Sequence, residues 1–144
     1  MTSYEEIYER FSQKITDFKL LELTDQEIRE LMKQWMVSAI AKFRRCKSDL
    51  TDRDDELEEF NVDLLDIEQE ILAELMVGEW LEPQLNSVLY TSQFFGGKEE
   101  KWFAQANQLD KLMVLKNTNY ANCLKLMRDY GYQNFIWGNR NDSV

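Results

Sequence analysis

Apolar residues recur every three or four positions along most of this chain, a spacing that places them on one face of an α-helix. The first series predicts a helix over residues 4–18, and the second predicts a helix over residues 25–46. Each begins with a capping box, Ser3-Tyr4-Glu5-Glu6 or Thr24-Asp25-Gln26-Glu27, in which a hydroxyl and a carboxylate satisfy free backbone N–H groups. The sequence therefore indicates where both helices begin.

A third apolar series starts at Val62. It follows a polar and acidic stretch over residues 47–61, which we interpret as an exposed loop because like charges at this density repel one another. The apolar positions of the third helix cover more than one stripe, so we expect it to be central and buried on two sides. Pro83 is damaging in a helix interior but suits a first turn. It predicts a break, followed by a short fourth helix over residues 83–92.

The last predicted helix follows a turn marked by Gly96 and Gly97 and runs from about residue 98 to about residue 129. Asn117-Thr118-Asn119 could interrupt it, and Gly131 is expected to end it. The pattern predicts an all-α bundle of about five helices, with a helical domain over residues 1–131.

Residues 132–144 have no helical period and are predicted to form an extended C-terminal tail. Aromatic and aliphatic side chains in a terminal segment either fold back on the core or dock on a partner. The tail contains three such residues in succession, Phe135, Ile136 and Trp137.

The charge is concentrated in one part of the chain. The net charge is −10, from 27 acidic and 17 basic residues. Between Asp49 and Glu82 there are 14 acidic residues and one basic residue, Arg53, a net −13, so the rest of the chain sums to +3. Most of such a surface would repel phosphates, which argues against free nucleic acid as a partner. A short basic cluster precedes the acidic stretch and comprises Lys42, Arg44, Arg45 and Lys47.

The sequence lacks the residues of most catalytic and cofactor sites. It contains no histidine, which excludes Ser/His/Asp and Cys/His triads, and it has no glycine-rich phosphate loop. Cys46 and Cys123 are far apart, and we expect two reduced, partly buried thiols. No stretch is long and apolar enough to span a bilayer, and the first residues lack the layout of a signal peptide, so we expect intracellular synthesis. We expect no enzyme activity, no cofactor and no membrane partner.

The acidic side chains are the remaining candidates for a metal site or a catalytic site. Asp52, Asp54 and Glu56 alternate as in a calcium loop, but Leu57 stands where such a loop requires glycine. Adventitious binding of divalent ions by clustered carboxylates stays open. The third helix carries further carboxylates with the spacing of the solvent-facing side of an amphipathic helix; these are Asp66, Glu68, Glu70 and Glu74.

The order of these features resembles the head–tail connector proteins of tailed bacteriophages, also called adaptor or head-completion proteins, particularly those of phages and prophages in Gram-positive hosts. The resemblance is a pattern of sizes and spacings over nearly the whole chain, without an invariant chemical motif. It rests on the segments YEEIYERF (4–11), AIAKF (39–43), DL (49–50), FNVDL (60–64), EILA (70–73) and MVGEWL (76–81).

The resemblance implies a small helical protein of the virion that assembles as a ring, often of twelve copies, beneath the portal protein. Such a ring continues the DNA channel, through which DNA passes without specific binding, and offers a docking surface to the next neck or tail protein. In related adaptors a C-terminal segment reaches the portal, and by position this segment corresponds here to Phe135, Ile136 and Trp137.

A ring also suggests roles for the two charged regions. The basic cluster, Lys42, Arg44, Arg45 and Lys47, would contact acidic residues of the neighbouring copy. A negatively charged channel lets DNA slide without adhering. We hypothesise that the acidic stretch supplies part of this lining, through Asp52, Asp54, Asp55, Glu56, Glu58 and Glu59.

Two alternatives remain from the sequence. Acidic helical proteins encoded by phages can imitate the DNA backbone and occupy a DNA-processing enzyme, and the concentrated negative charge would suit such a DNA-mimic inhibitor. The generous aromatic content and the long amphipathic helices favour an assembling protein instead. The second alternative is a helical enzyme with an unfamiliar acidic metal site.

Overall fold

The structure, a computed structural model, describes the backbone of residues 1–16, 18–95 and 99–142. Within these residues the chain forms four α-helices, one 3-10 helix and a small antiparallel sheet. The elements are β1 (Thr2–Ser3), α1 (Tyr4–Ser12), the 3-10 helix (Phe18–Glu22), α2 (Asp25–Lys42), β2 (Arg53–Asp54), β3 (Glu59–Phe60), α3 (Asp66–Phe95) and α4 (Glu99–Asp142). A mostly helical fold is confirmed, whereas the prediction of five helices and no sheet was wrong.

Helix α3 is the central element, as its broad apolar surface predicted. It packs against α1, α2 and α4. Ile71, Leu72, Ala73 and Met76 are completely buried, and four such residues within six positions cannot all lie on one narrow stripe. The helix therefore needs neighbours on more than one side, and the other three helices supply them.

Pro83 does not break the third helix, because α3 continues through it to Phe95. A proline in a helix interior costs roughly 3 kcal/mol, since it removes one backbone hydrogen bond and crowds the preceding turn. Leu81, Leu85 and Val88 on either side of it are buried in the core. Burying one such side chain contributes about 1.5–3 kcal/mol, so the packing of this segment outweighs the cost of the proline.

Helix α4 is longer than predicted. It passes without interruption through residues 117–119 and through Gly131 and ends at Asp142, so the described part of the predicted extended tail is helical. Asn119 does not interrupt the helix because its side chain turns inward and donates to the backbone of α3. A glycine costs a helix only about 1 kcal/mol, which is too little to end it at Gly131. The predicted turn at Gly96 and Gly97 lies outside the described residues.

Both capping boxes are present, but the two helices that they start end early. Ser12 ends α1, and its hydroxyl donates back to the carbonyl of Tyr8 at 2.8 Å. Helix α2 ends at Lys42 because Phe43 leaves the helical conformation with a ψ of 71°. The Phe43 ring is buried against Tyr130, with ring centroids 5.4 Å apart. Tertiary contacts therefore set the end of α2.

The acidic stretch over residues 47–61 is not an irregular loop. Strands β2 and β3 form a hairpin, and β3 also pairs with β1 at the start of the chain. The register places Phe60 opposite both Thr2 and Arg53. Leu50 and Phe60 are buried in the core and anchor the hairpin despite its charge. No helix in the described residues has both the length and the apolar character that crossing a membrane requires.

Candidate interaction surfaces

The basic cluster lies where α2 ends. Lys42 forms an ion pair with Glu79 of α3. Arg44 and Arg45 are exposed, and the backbone N–H of Lys47 donates to the Tyr130 hydroxyl at 2.8 Å. In the part of the chain that the structure describes, Arg44, Arg45 and Lys47 form no ion pair. Three cations are therefore available on this surface.

Two of these cations join residues of α4 to form a groove, which we call the basic groove. Arg45, Lys47 and Arg128 provide its charge, and Arg128, like the other two, has no ion pair among the described residues. The groove is lined by Arg45, Lys47, Leu124, Met127, Arg128, Gly131 and Tyr132. Leu124 and Met127 also line an adjoining depression with Lys42 and Tyr120. The lining thus combines apolar and cationic side chains, and Arg44 is not part of it.

The outer surface of α4 presents large apolar side chains to solvent. Val114, Tyr120 and Tyr132 are 63%, 64% and 66% exposed. Met113, Leu115 and Leu124 are exposed to a smaller extent. Isolated apolar residues are normal on protein surfaces, but six exposed large apolar side chains on one helix make α4 a candidate for contacts with a partner.

The six carboxylates predicted to line a channel all belong to one structural unit, residues 52–60, which we call the acidic hairpin. Asp54 shapes its turn, because the carboxylate accepts hydrogen bonds from the N–H groups of Glu56 and Leu57 at 2.9 and 3.0 Å. Asp55 accepts from the Tyr4 hydroxyl at 2.6 Å, which lowers the pKa of Asp55. Asp52 accepts from the Asn61 side chain. These bonds hold the acidic residues in a defined arrangement.

The acidic hairpin is also tied to α2. Glu58 lies 3.6 Å from Arg29, and Asp55 lies 3.9 Å from Lys33. Glu58 has a positive φ of 53°, the left-handed conformation that a tight hairpin turn requires. The carboxylate of Glu56 makes no ion pair or hydrogen bond among the described residues.

An apolar side chain stands at the tip of this charged hairpin. Leu57 is 68% exposed and lies between Glu56 and Glu58. In the sequence Leu57 stands at the position where a calcium loop requires glycine. Its position at the tip of a hairpin was not predicted, because the expectation for residues 47–61 was an exposed loop.

Most carboxylates of α3 form ion pairs within the chain. Arg10 of α1 lies 3.0 Å from Asp66 and 3.2 Å from Glu70. Lys14 pairs with Glu70 and lies 3.4 Å from Glu74. The prediction of a purely solvent-facing acidic side was therefore wrong. The two basic residues of the first predicted helix signalled these pairs, but only the packing of α1 on α3 brings them together.

Glu68 departs furthest from the prediction, because it is completely buried. Its Oε1 atom accepts from Leu65 N–H and Ser48 Oγ, both at 2.8 Å. Its Oε2 atom accepts from Tyr130 Oη at 2.7 Å, Cys46 Sγ at 3.2 Å and Ser48 N–H at 3.4 Å. Burial alone would raise the pKa of Glu68, but these hydrogen bonds together outweigh it, so the pKa lies below its ordinary value. This carboxylate joins the segment after α2 to α3 and α4.

Both cysteines are free thiols, as expected, with Cys123 buried and Cys46 partly buried. Among the described residues, no group of three or more acidic or cysteine side chains is arranged to hold a metal ion. The side chains of Phe135, Ile136 and Trp137 lie outside the described residues. Comparison of the chain with protein-family models, with curated proteins and with solved structures finds no match.

Proposed function

We propose that this protein is a structural subunit of a phage head–tail connector, which forms a homo-oligomeric ring beneath the portal, extends the DNA channel and receives the next neck protein. The observation that supports this proposal most directly is the exposure of large apolar side chains on α4, with Val114, Tyr120 and Tyr132 more than half exposed. A ring subunit contacts several neighbours at once. It therefore needs apolar surface outside its own core.

The basic groove and the acidic hairpin support assembly as well. The basic groove presents unpaired cations and the acidic hairpin presents carboxylates. Complementary charges of this kind orient partners and accelerate their association. We assign lateral contacts to Lys42, Arg44, Arg45 and Lys47, with Lys42 already bound in part by Glu79 of its own chain. Under the same proposal, Phe135, Ile136 and Trp137 contact the portal.

Under this proposal the carboxylates of the acidic hairpin line the DNA channel. Asp55 and Glu58 are partly neutralised by Lys33 and Arg29, which weakens the repulsive field that this face would present to DNA. The carboxylate of Glu56 is exposed and forms no ion pair or hydrogen bond among the described residues. If the hairpin faces the lumen, reversal of this charge should slow DNA passage.

A DNA-mimic inhibitor is disfavoured by the ion pairs of α3. A mimic needs its carboxylates free to replace phosphates on the partner. Here Asp66, Glu70 and Glu74 are paired with Arg10 and Lys14, and Glu68 is buried. Much of the negative charge of the acidic stretch is therefore paired or buried within the chain and is not available to a partner.

The test is electron microscopy of the purified protein mixed with the portal protein of the phage that encodes it. We expect rings of this chain stacked on one end of the portal ring. A protein that leaves the portal unoccupied at high micromolar concentration would contradict the connector function. Competition with DNA for a basic DNA-processing enzyme, measured on the same preparation, would support the mimic instead.

A further inference from the structure

We propose that the tip of the acidic hairpin of one copy docks into the basic groove of the next copy, with Leu57 against Leu124 and Met127. This inference rests on the proposed ring function and names the contact that would build it. The groove needs an occupant that offers an apolar side chain with negative charge beside it, because its lining combines Leu124 and Met127 with cations.

The hairpin tip has that composition. Leu57 is the apolar centre, and Glu56 and Glu58 flank it directly in the sequence. On the groove, Arg45, Lys47 and Arg128 lack ion pairs among the described residues. Docking would therefore remove apolar surface from water on both partners and bring the Glu56 carboxylate, which has no ion pair among the described residues, beside the groove cations, while Glu58 already lies beside Arg29 of its own chain.

A chain cannot fill its own groove with its own tip. Glu58 is held beside Arg29 near the start of α2, whereas Lys42, beside the groove, is the last residue of that helix. The 13 positions from Arg29 to Lys42 correspond to about 20 Å along a helix axis. Because the two surfaces lie near opposite ends of α2, the contact joins different copies.

The contact is heterologous, since a tip meets a groove rather than another tip. Repetition of a heterologous contact closes into a ring or continues as a filament, according to the rotation at each step. A hairpin tip is smaller than a standard protein interface, so the isolated pair should associate weakly, with a dissociation constant on the order of 0.1 mM. In a ring, each copy would use both surfaces.

Sedimentation equilibrium of the wild-type chain up to about 1 mM provides the first test. We expect the mean mass to rise with concentration above the 17.2 kDa of one chain and to fall again at high salt. Leu57→Asp should remain monomeric. Leu21→Asp is the matched control, because Leu21 is 77% exposed against 68% for Leu57 but lies in the 3-10 helix, and it should associate like the wild type. A wild-type chain that stays monomeric, or a Leu57→Asp variant that associates normally, would overturn the proposal.

A mixing experiment tests the heterologous geometry. The double variant Arg45→Glu, Arg128→Glu has a damaged groove and an intact tip, whereas Leu57→Asp has the reverse. Both alter exposed residues, so circular dichroism should show unchanged helix content. Alone, each should be monomeric. Mixed, they should form a 1:1 dimer and nothing larger, and absence of that dimer would exclude a tip-to-groove contact.

The two proposals fail in different ways. If the mixed dimer forms but the wild type ignores the portal, the contact stands and the connector function is wrong. If rings form on the portal equally well with Leu57→Asp, the connector function stands and the contact is wrong. If the Leu57→Asp variant no longer binds the portal but still self-associates, the tip contacts the portal and the proposed contact between copies is wrong.

Discussion

The Tyr130 hydroxyl donates a 2.7 Å hydrogen bond to Glu68 Oε2, across 62 residues of chain. The same hydroxyl accepts a hydrogen bond from Lys47 N–H, so it joins the segment after α2 to both long helices. Lys47 lies beside the basic groove, and Tyr130 is adjacent to Gly131 in its lining. The position of this surface therefore depends on a buried carboxylate that is not itself part of it.

Tyr130→Phe should lower the free energy of unfolding by about 2 kcal/mol, because it removes a hydrogen bond to a buried charge and leaves Lys47 N–H without this acceptor. Tyr8→Phe is the matched control. Tyr8 is equally buried, but its hydroxyl has no hydrogen-bond partner among the described residues. Its loss should change stability by less than about 0.5 kcal/mol or increase it. Urea denaturation measures both, and equal effects would contradict the role of the Glu68 contact.

Stability should fall in acid partly through Glu68. Its pKa is lower in the folded chain than the ordinary value of 4.5, so its contribution is complete above pH 4.5 and is lost as the pH falls through the lower, folded value. Glu68→Gln should be less stable at pH 7 and should show a shallower loss between pH 5 and pH 3, by up to about 1.4 kcal/mol per pH unit. Denaturation curves across this range test it, and parallel profiles for the two proteins would refute it.

Cys46 should be nearly inert towards iodoacetamide in the folded protein. Burial first, and then the hydrogen bond to Glu68 and its charge, raise the pKa of the Cys46 thiol to about 12. At pH 8 the thiolate should therefore be roughly a thousandfold scarcer than for an ordinary cysteine. Alkylation can be followed by mass spectrometry in a Cys123→Ser background, with the urea-unfolded chain as reference. Folded and unfolded rates within tenfold of each other would contradict the prediction, and Glu68→Gln should accelerate the folded rate.

Two glycines of the long helices should respond in opposite directions to alanine. A Cβ atom at Gly78 would lie 2.9 Å from Asn119 Oδ1, and Asn119 is held by hydrogen bonds to Glu74. Gly78→Ala should therefore cost about 1–2 kcal/mol. Nothing lies within 4 Å of a Cβ at Gly131, so Gly131→Ala should gain up to about 1 kcal/mol from helix propensity alone. Thermal denaturation compares them, and a stabilised Gly78→Ala variant would show that α3 and α4 are not closely packed there.

Features that depend on nearby residues could be predicted from the sequence. The capping boxes at Ser3 and Thr24 place two helix starts, because the groups that satisfy the first N–H groups are three residues apart. The wide apolar surface of the third helix predicts its central position, since each buried side has to be covered by a neighbour. Among candidate site residues, the clustering of Lys42, Arg44, Arg45 and Lys47 is visible in the sequence, but only the structure shows that Lys42 pairs with Glu79 while the other three form no ion pair among the described residues.

Features that depend on distant residues were decided only by the tertiary structure. Helix α3 passes through Pro83 because burial of Leu81, Leu85 and Val88 outweighs a local cost. The acidic hairpin forms because Phe60 pairs with Thr2 and is buried, which offsets the repulsion between its charges. From the sequence, Glu68 is expected to be a surface carboxylate. In the folded chain it is buried and accepts hydrogen bonds from Ser48 and Tyr130, which are distant in the sequence. Apolar periodicity and helix capping involve residues that are close in the sequence, so they can be predicted from it. The contacts that offset the cost of a proline in a helix, of repulsion between carboxylates or of a buried charge come from distant residues, so they are known only from the folded structure.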